Sequence, residues 1–151
     1  RQMCIRDRNY GDLHYLLLLA FNRSNKAIVR QTAKGDLLPG HPKILEFLWE
    51  HPDCTQKEIS LGCVLDKSTV TSLVARMEQQ NYLTKTPDPS DRRNYRLSLT
   101  EKGREKALEV RKVCALVDKI AWQDIPLEEQ KQFLETFRKI LLNLETLEAT
   151  I

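Results

Sequence analysis

Residues 82–103, YLTKTPDPSDRRNYRLSLTEKG, interrupt a chain whose apolar spacing is otherwise helical. Two runs of strand-forming residues, 82–86 and 95–99, flank a turn built on Asp88-Pro89-Ser90-Asp91. Arg92 and Arg93 fall where such a hairpin bends back, and Arg96 lies on the return strand. A two-stranded ribbon tipped with arginines suits a nucleic-acid backbone or a minor groove. The segment follows directly on an amphipathic helix. Together the two restrict the chain to a helix-turn-helix with a wing: mainly α, with one small β-hairpin.

The rest of the chain fits that frame. From Asp12 to about Ala33, Leu13, Leu16, Leu17, Ala20, Ala27 and Ile28 recur at helical spacing, and Gly35 is a plausible stop. Pro42 suits the first turn of a second helix, which carries Ile44, Leu45 and Leu48 and ends before Pro52. Thr55-Gln56-Lys57-Glu58 has the spacing of a capping box and opens a third helix to about Gly62. Asp66 can cap a fourth, running to about Gln80 and closed by Asn81 in the left-handed conformation. After the hairpin, Thr100 can cap a long helix to about Trp122. There Ala107, Val110, Cys114, Val117 and Ala121 form a narrow seam of the coiled-coil kind. A last helix follows Pro126, lined by Phe133, Phe137, Ile140, Leu141, Leu144 and Leu147.

The fourth helix holds the sharpest signal. Val70, Leu73, Val74 and Met77 share one face. The opposite face carries Ser68, Thr71, Ser72, Ala75, Arg76 and Gln79, with Thr69 near the border. Solvated helix faces favour Glu and Lys, whereas Ser and Thr are mediocre helix formers, so their density needs a reason. Short side chains let a helix sink into a major groove, hydroxyls meet phosphates or base edges, and a forked arginine suits guanine. A protein-contact winged helix without DNA binding is the alternative, but it has no need of arginines at the wing tip.

Composition narrows the functional class. The 151 residues include 24 basic and 21 acidic side chains, a net charge of +3 too small to mark a DNA binder by itself. The distribution says more: between 85 and 104, six basic residues face three acidic ones. No apolar run approaches the length of a membrane span. Cys4, Cys54, Cys63 and Cys114 are scattered without C-x-x-C pairing, which fits a reduced, cytoplasmic setting. With only His14, His41 and His51, and no phosphate loop or nucleophile elbow, no catalytic site and no cofactor are expected. His51 and Cys54 are too few ligands for a zinc site, even with His41 and Cys63 in nearby elements.

Three stretches, TQKEI at 55–59, DKSTVTSLVARM at 66–77 and DPSDRRNYRLSLTEKG at 88–103, resemble the MarR (multiple antibiotic resistance regulator) family. The most specific is the last, an Asp-x-Arg followed by Leu-Thr-x-x-Gly. The resemblance implies a winged helix-turn-helix core and a homodimer joined through the terminal helices. It also implies pseudo-palindromic double-stranded DNA operators and, as a possibility, a small-molecule effector. By match to the family motif, Arg93 is the wing arginine of the minor groove, and Asp91 holds the wing by pairing with a nearby arginine. Ser68, Thr69, Thr71, Ser72 and Arg76 take the major-groove positions, with Arg92 and Arg96 as further contacts. The domains expected are a tail (1–11), an N-terminal dimerisation helix (12–36), the DNA-binding lobe (37–100) and C-terminal dimerisation helices (101–151). Two positions depart from the family. Val64 stands where the turn between the third and fourth helices often has glycine, which implies a wider or variant turn, and Asn81 replaces a glycine before the wing.

The resemblance also frames regulation. A repressor relieved by an effector that alters the spacing of the two DNA-reading helices is the expected mode. Tyr15, Phe21, Phe47 and Trp49 are candidates to line an effector pocket, with core packing as the plainer role for each. Relatives that sense peroxide carry a reactive cysteine near the start of the first helix. Here His14 stands about there, Cys4 lies in the tail, and Cys63 and Cys114 occupy apolar positions.

Overall fold

The computed structural model describes residues 11–150; Cys4 and most of the tail lie outside the described residues. The element order is α1 (Leu13–Ala33), α2 (His41–Glu50), β1 (Cys54–Thr55), α3 (Gln56–Cys63), α4 (Lys67–Gln79), β2 (Leu83–Pro87), β3 (Tyr95–Leu99), α5 (Glu101–Ala121) and α6 (Leu127–Thr150). The chain divides into two compact units, the first ending at Val117 and the second beginning at Asp118, so the boundary falls inside α5.

Local chemistry places the helix ends. The capping box forms: the Glu58 amide donates to Thr55 Oγ1 at 3.2 Å and the Thr55 amide to Glu58 Oε2 at 2.8 Å. Asp66 caps α4, and Asn81 takes φ 63° to end it. α1 ends differently from expectation. Lys34 is right-handed at the C-cap, and Asp36, not Gly35, takes the positive φ of 62°. Aspartate tolerates the left-handed conformation because its short polar side chain bonds locally.

The turn between α3 and α4 corrects a second expectation. Val64 adopts φ 53°, ψ 50°, the left-handed conformation itself, so the turn keeps the glycine shape with a β-branched residue in it. Ser60 secures it: its hydroxyl donates to the Leu65 carbonyl at 2.6 Å, and the Leu65 amide donates to the Ser60 carbonyl at 3.1 Å.

The sheet has three strands rather than two, in the order β1-β3-β2, all antiparallel. Cys54 and Thr55 pair with Leu97 and Arg96, while the wing hairpin runs from Leu83 opposite Leu99 to Pro87 opposite Tyr95. This extra strand ties the wing to the start of α3.

The core of the first unit is continuous across its elements. Ile44, Leu45, Leu48, Ile59, Val70, Val74, Met77, Leu83 and Leu97 are almost wholly buried. Burying each large aliphatic side chain stabilises the fold by about 1.5–3 kcal/mol. Ala107 and Val110 join this core at zero exposure. The first half of the α5 seam is therefore not free for a partner chain, because it closes the winged-helix lobe.

Candidate nucleic-acid interface

α4 presents the side chains expected of it. Ser68, Thr71, Ser72 and Arg76 are exposed and Thr69 is half-buried, while Val70, Leu73, Val74 and Met77 face the core. The hydroxyls are not equivalent. Asp66 Oδ1 accepts from the Thr69 amide (2.8 Å) and the Ser68 hydroxyl (2.7 Å), and Oδ2 accepts from the Thr69 hydroxyl (2.7 Å). These donors, Ser68 first, hold the Asp66 carboxyl down to about 2. Thr71 Oγ1 donates to the Lys67 carbonyl at 2.9 Å. The side chains of Ser72 and Arg76 form no hydrogen bond or ion pair with other described residues. Ser72 and Arg76 are thus ready to donate outward, whereas Ser68, Thr69 and Thr71 offer oxygen lone pairs unless their caps let go.

The wing tip is shaped by two aspartates. Asp88 Oδ1 accepts from the Ser90 amide (2.9 Å) and the Ser90 hydroxyl (2.8 Å). Its side chain is nearly buried, and Ser90, with Arg96 adding its charge, keeps the carboxyl below the ordinary range. Asp91 Oδ1 accepts from the Arg93 amide at 3.0 Å, and Oδ2 accepts from the Asn94 side-chain amide at 3.3 Å. Both are Asx-type turns. Asp91 supports the wing through backbone and amide donors; the aspartates that meet a guanidinium are Asp88 and Asp53. Arg96 Nε lies 3.6 Å from Asp88 Oδ1, and its Nη1 donates to the Asp53 carbonyl at 2.8 Å and lies 3.8 Å from Asp53 Oδ2. Arg96 is a strut between the wing and the loop after α2. Arg92 and Arg93 remain exposed at the bend, with no ion pair among the described residues.

α4 and the wing share one cleft of about 630 Å³. Gln56, Lys57, Lys67, Lys85, Arg93 and Tyr95 are among its walls, and every charged lining residue is basic. Lys85 lies 3.7 Å from Glu78 and 5.3 Å from the Tyr95 ring centroid, an arrangement that fixes its ammonium group. Such a concave positive surface concentrates phosphate. Sequence reading missed Gln56, Lys57 and Lys67, and counted Lys85 only within the basic stretch from 85 to 104. A signal existed for two of them: Lys57 and Lys67 stand in the first turns of α3 and α4, where the helix dipole disfavours a cation.

The sensor readings find less support. Burial pushes the Cys54 thiol up to about 12 and Cys63 up to about 11, so neither is a ready thiolate. Cys54 and Cys63 are free thiols. Of the aromatic candidates for a pocket, Phe47 stacks on His51 with centroids 4.4 Å apart, and Trp49 lies near both Arg104 and Arg111. Phe21 lines a crevice of only about 150 Å³ together with Ile28, Val29, Lys43, Glu46 and Cys114. Among the described residues no helix is long and apolar enough to cross a membrane.

Comparison with known proteins agrees with this geometry. The model of the MarR family matches residues 39–95. The organic hydroperoxide resistance transcriptional regulator of Bacillus subtilis is 39% identical over 69 residues, 44% of this chain and 47% of that relative, so the match spans about half its length. The uncharacterized HTH-type transcriptional regulator YwhA of Bacillus subtilis is 30% identical over 100 residues, 64% of this chain and 70% of the relative. A solved structure of Bordetella bronchiseptica BpsR, whose DNA binding is regulated by 6-hydroxynicotinic acid, superposes with a TM-score of 0.75. It is 20% identical and covers 85% of this chain and 97% of its own. The winged lobe, its matched motifs and these relatives make the chain a member of the MarR family, a DNA-binding transcriptional regulator and not an enzyme.

Proposed function

We propose that the protein is a cytoplasmic homodimeric repressor that grips a pseudo-palindromic operator through two copies of α4 and the wing, and that a small molecule relieves it. The carrying observation is the basic cleft. α4 and the wing tip both line it, and the guanidinium groups of Arg76, Arg92 and Arg93 have no ion-pair partner among the described residues. In this reading Ser72 and Arg76 address base edges, and Arg92 and Arg93 reach the adjoining groove. Lys57, Lys67 and Lys85 hold phosphates, and Arg96 and Asp91 keep the wing in shape.

The terminal helices support the dimer. Leu13, Leu16, Leu18 and Phe21 are exposed on α1, and α6 exposes Leu127, Phe133, Leu134, Leu141, Leu142, Leu144 and Leu147. No described residue of α6 is buried. Apolar surface on this scale marks an interaction site. A two-fold partner would cover it and present two α4 helices about 34 Å apart, one DNA turn. Residues 12–36 and the later part of 101–151 would then serve dimerisation, with 37–100 and the start of α5 as the DNA-binding lobe. Sedimentation velocity at micromolar concentration is expected to give a dimer. A monomer that binds a single half-site tightly would overturn this arrangement.

Relief by an effector draws on BpsR, which shares the fold. A ligand here would act only by binding one spacing of the two reading helices more tightly than another.

A further inference from the structure

The outer face of α4 changes hydrogen-bonding character along its length. Each of its first three hydroxyls has one hydrogen, and what receives that hydrogen fixes its direction. Ser68 Oγ lies 2.7 Å from Asp66 Oδ1, Thr69 Oγ1 lies 2.7 Å from Asp66 Oδ2, and Thr71 Oγ1 lies 2.9 Å from the Lys67 carbonyl. A carboxylate and a carbonyl have no hydrogen to give, so all three hydroxyls give theirs inward. The Asp66 carboxyl, held down to about 2, stays ionised near neutral pH and never acts as the donor. Bonds to an ionised acceptor are stronger than neutral ones, so Ser68 is held more firmly than Thr71. Ser68 is exposed, and what it shows outward is lone pairs. One turn and two turns further on, the side chains of Ser72 and Arg76 keep their hydrogens for an outside acceptor.

A duplex offers few partners for lone pairs. Phosphates carry acceptors, as do guanine and thymine at their major-groove edges; the only donors in that groove are the amino groups of adenine and cytosine. Phosphate is disfavoured at this turn for a second reason. The position where a helix N-terminus attracts an anion is already taken by Asp66, whose charge repels one. The N-terminal residues of a reading helix are also the ones that reach base edges.

We infer that the first turn of α4 selects base pairs by their amino group: Ser68 Oγ accepts from adenine N6 or cytosine N4, and Asp66 is the positioning residue that sets this polarity. The inference rests on the proposed reading of DNA by α4 and adds which chemical group its first turn recognises.

Selection from a random-sequence pool, run with the parent and with Ser68→Ala, identifies the base pair whose preference Ser68 supplies. In the selected duplex the amino group of that pair is then removed or blocked in both half-sites, with 2-aminopurine for adenine or N4-methylcytosine for cytosine. The parent is expected to bind about tenfold more weakly or worse, and Ser68→Ala to change about twofold or less. A 7-deazapurine in the same pair, which lacks the ring-nitrogen acceptor, should leave parent affinity within about twofold. Asp66→Gly keeps a tolerated N-cap but frees the Ser68 hydrogen, so it should relax the preference at that one pair. Asp66→Asn retains an acceptor oxygen and should keep the preference. Melting curves check that both variants fold, and a purely structural loss of the cap would weaken all sequences alike. The inference is overturned if the parent tolerates loss of the amino group, if the deazapurine costs as much, or if Ser68→Ala changes the preference at no pair. Asp66→Gly with the parent's full preference would overturn the role of Asp66. Those results leave the DNA-binding reading standing; failure of the parent to enrich any sequence would overturn that reading and this inference with it.

Discussion

Arg93 and Arg96 are three residues apart on the wing and have different surroundings. Arg93 is exposed beside the basic cleft, whereas Arg96 bridges Asp88 and the Asp53 carbonyl. Arg93→Ala should therefore weaken duplex binding without lowering the melting temperature. Arg96→Ala should lower the melting temperature through a loss of about 1 kcal/mol, a half-exposed charge-assisted contact. Thermal melts and duplex titrations of both variants separate the two roles. Arg76→Ala should cost about 1–3 kcal/mol of duplex affinity and relax the preference at one base pair, read by titrating a panel of single-base variants. Sequence placed all three arginines on the right elements but not their partners, because the strut depends on Asp53, which is 43 residues away along the chain. His41 gives a pH test. It is fully buried, its Nδ1 accepts from the Leu38 amide at 3.2 Å, and burial, helped by the charge of Arg76, holds its pKa below 6.5. Above 6.5 folded and unfolded chains both carry the neutral ring. As pH falls below 6.5 the unfolded chain takes up a proton that the folded chain refuses, so stability falls. Melting temperatures measured downward from neutral pH should decline in the parent and decline less steeply in His41→Asn, whatever the variant's absolute stability.

At the scale of elements, the Leu-Thr-x-x-Gly stretch is a joint between the wing and α5. Thr100 Oγ1 accepts the Gly103 amide at 3.0 Å and donates to the Asn81 carbonyl at 2.5 Å. A Cβ on Gly103 would lie 1.8 Å from the Tyr82 carbonyl oxygen, so helix and wing meet backbone to backbone. Gly103→Ala should destabilise the protein by about 2 kcal/mol or more, since the obstacle is main chain that cannot rotate aside. Chemical denaturation reads this directly; an unchanged midpoint would remove the joint. The helices were legible because their determinants are local: apolar spacing, the Thr55–Glu58 box, the Asp66 cap and the left-handed Asn81. β1 was not. Two residues carry no period, and they are a strand only because β3 pairs with them. Likewise the spacing of Ala107 and Val110 marked a buried stripe but not its partner, which proved to be the lobe's own core.

For the whole molecule, the basic cleft, the outward arginines and the uncovered terminal helices fit one arrangement: two winged lobes held by symmetry on one duplex. Its symmetry has a consequence in the DNA. Selection of bound duplexes from a random-sequence pool by the purified protein, followed by sequencing, reads that consequence for any operator the protein prefers. The account predicts enrichment of two inverted half-sites with centres about one helical turn apart, roughly 10 base pairs. Enrichment of a single asymmetric half-site, or no enrichment over the starting pool, would contradict it.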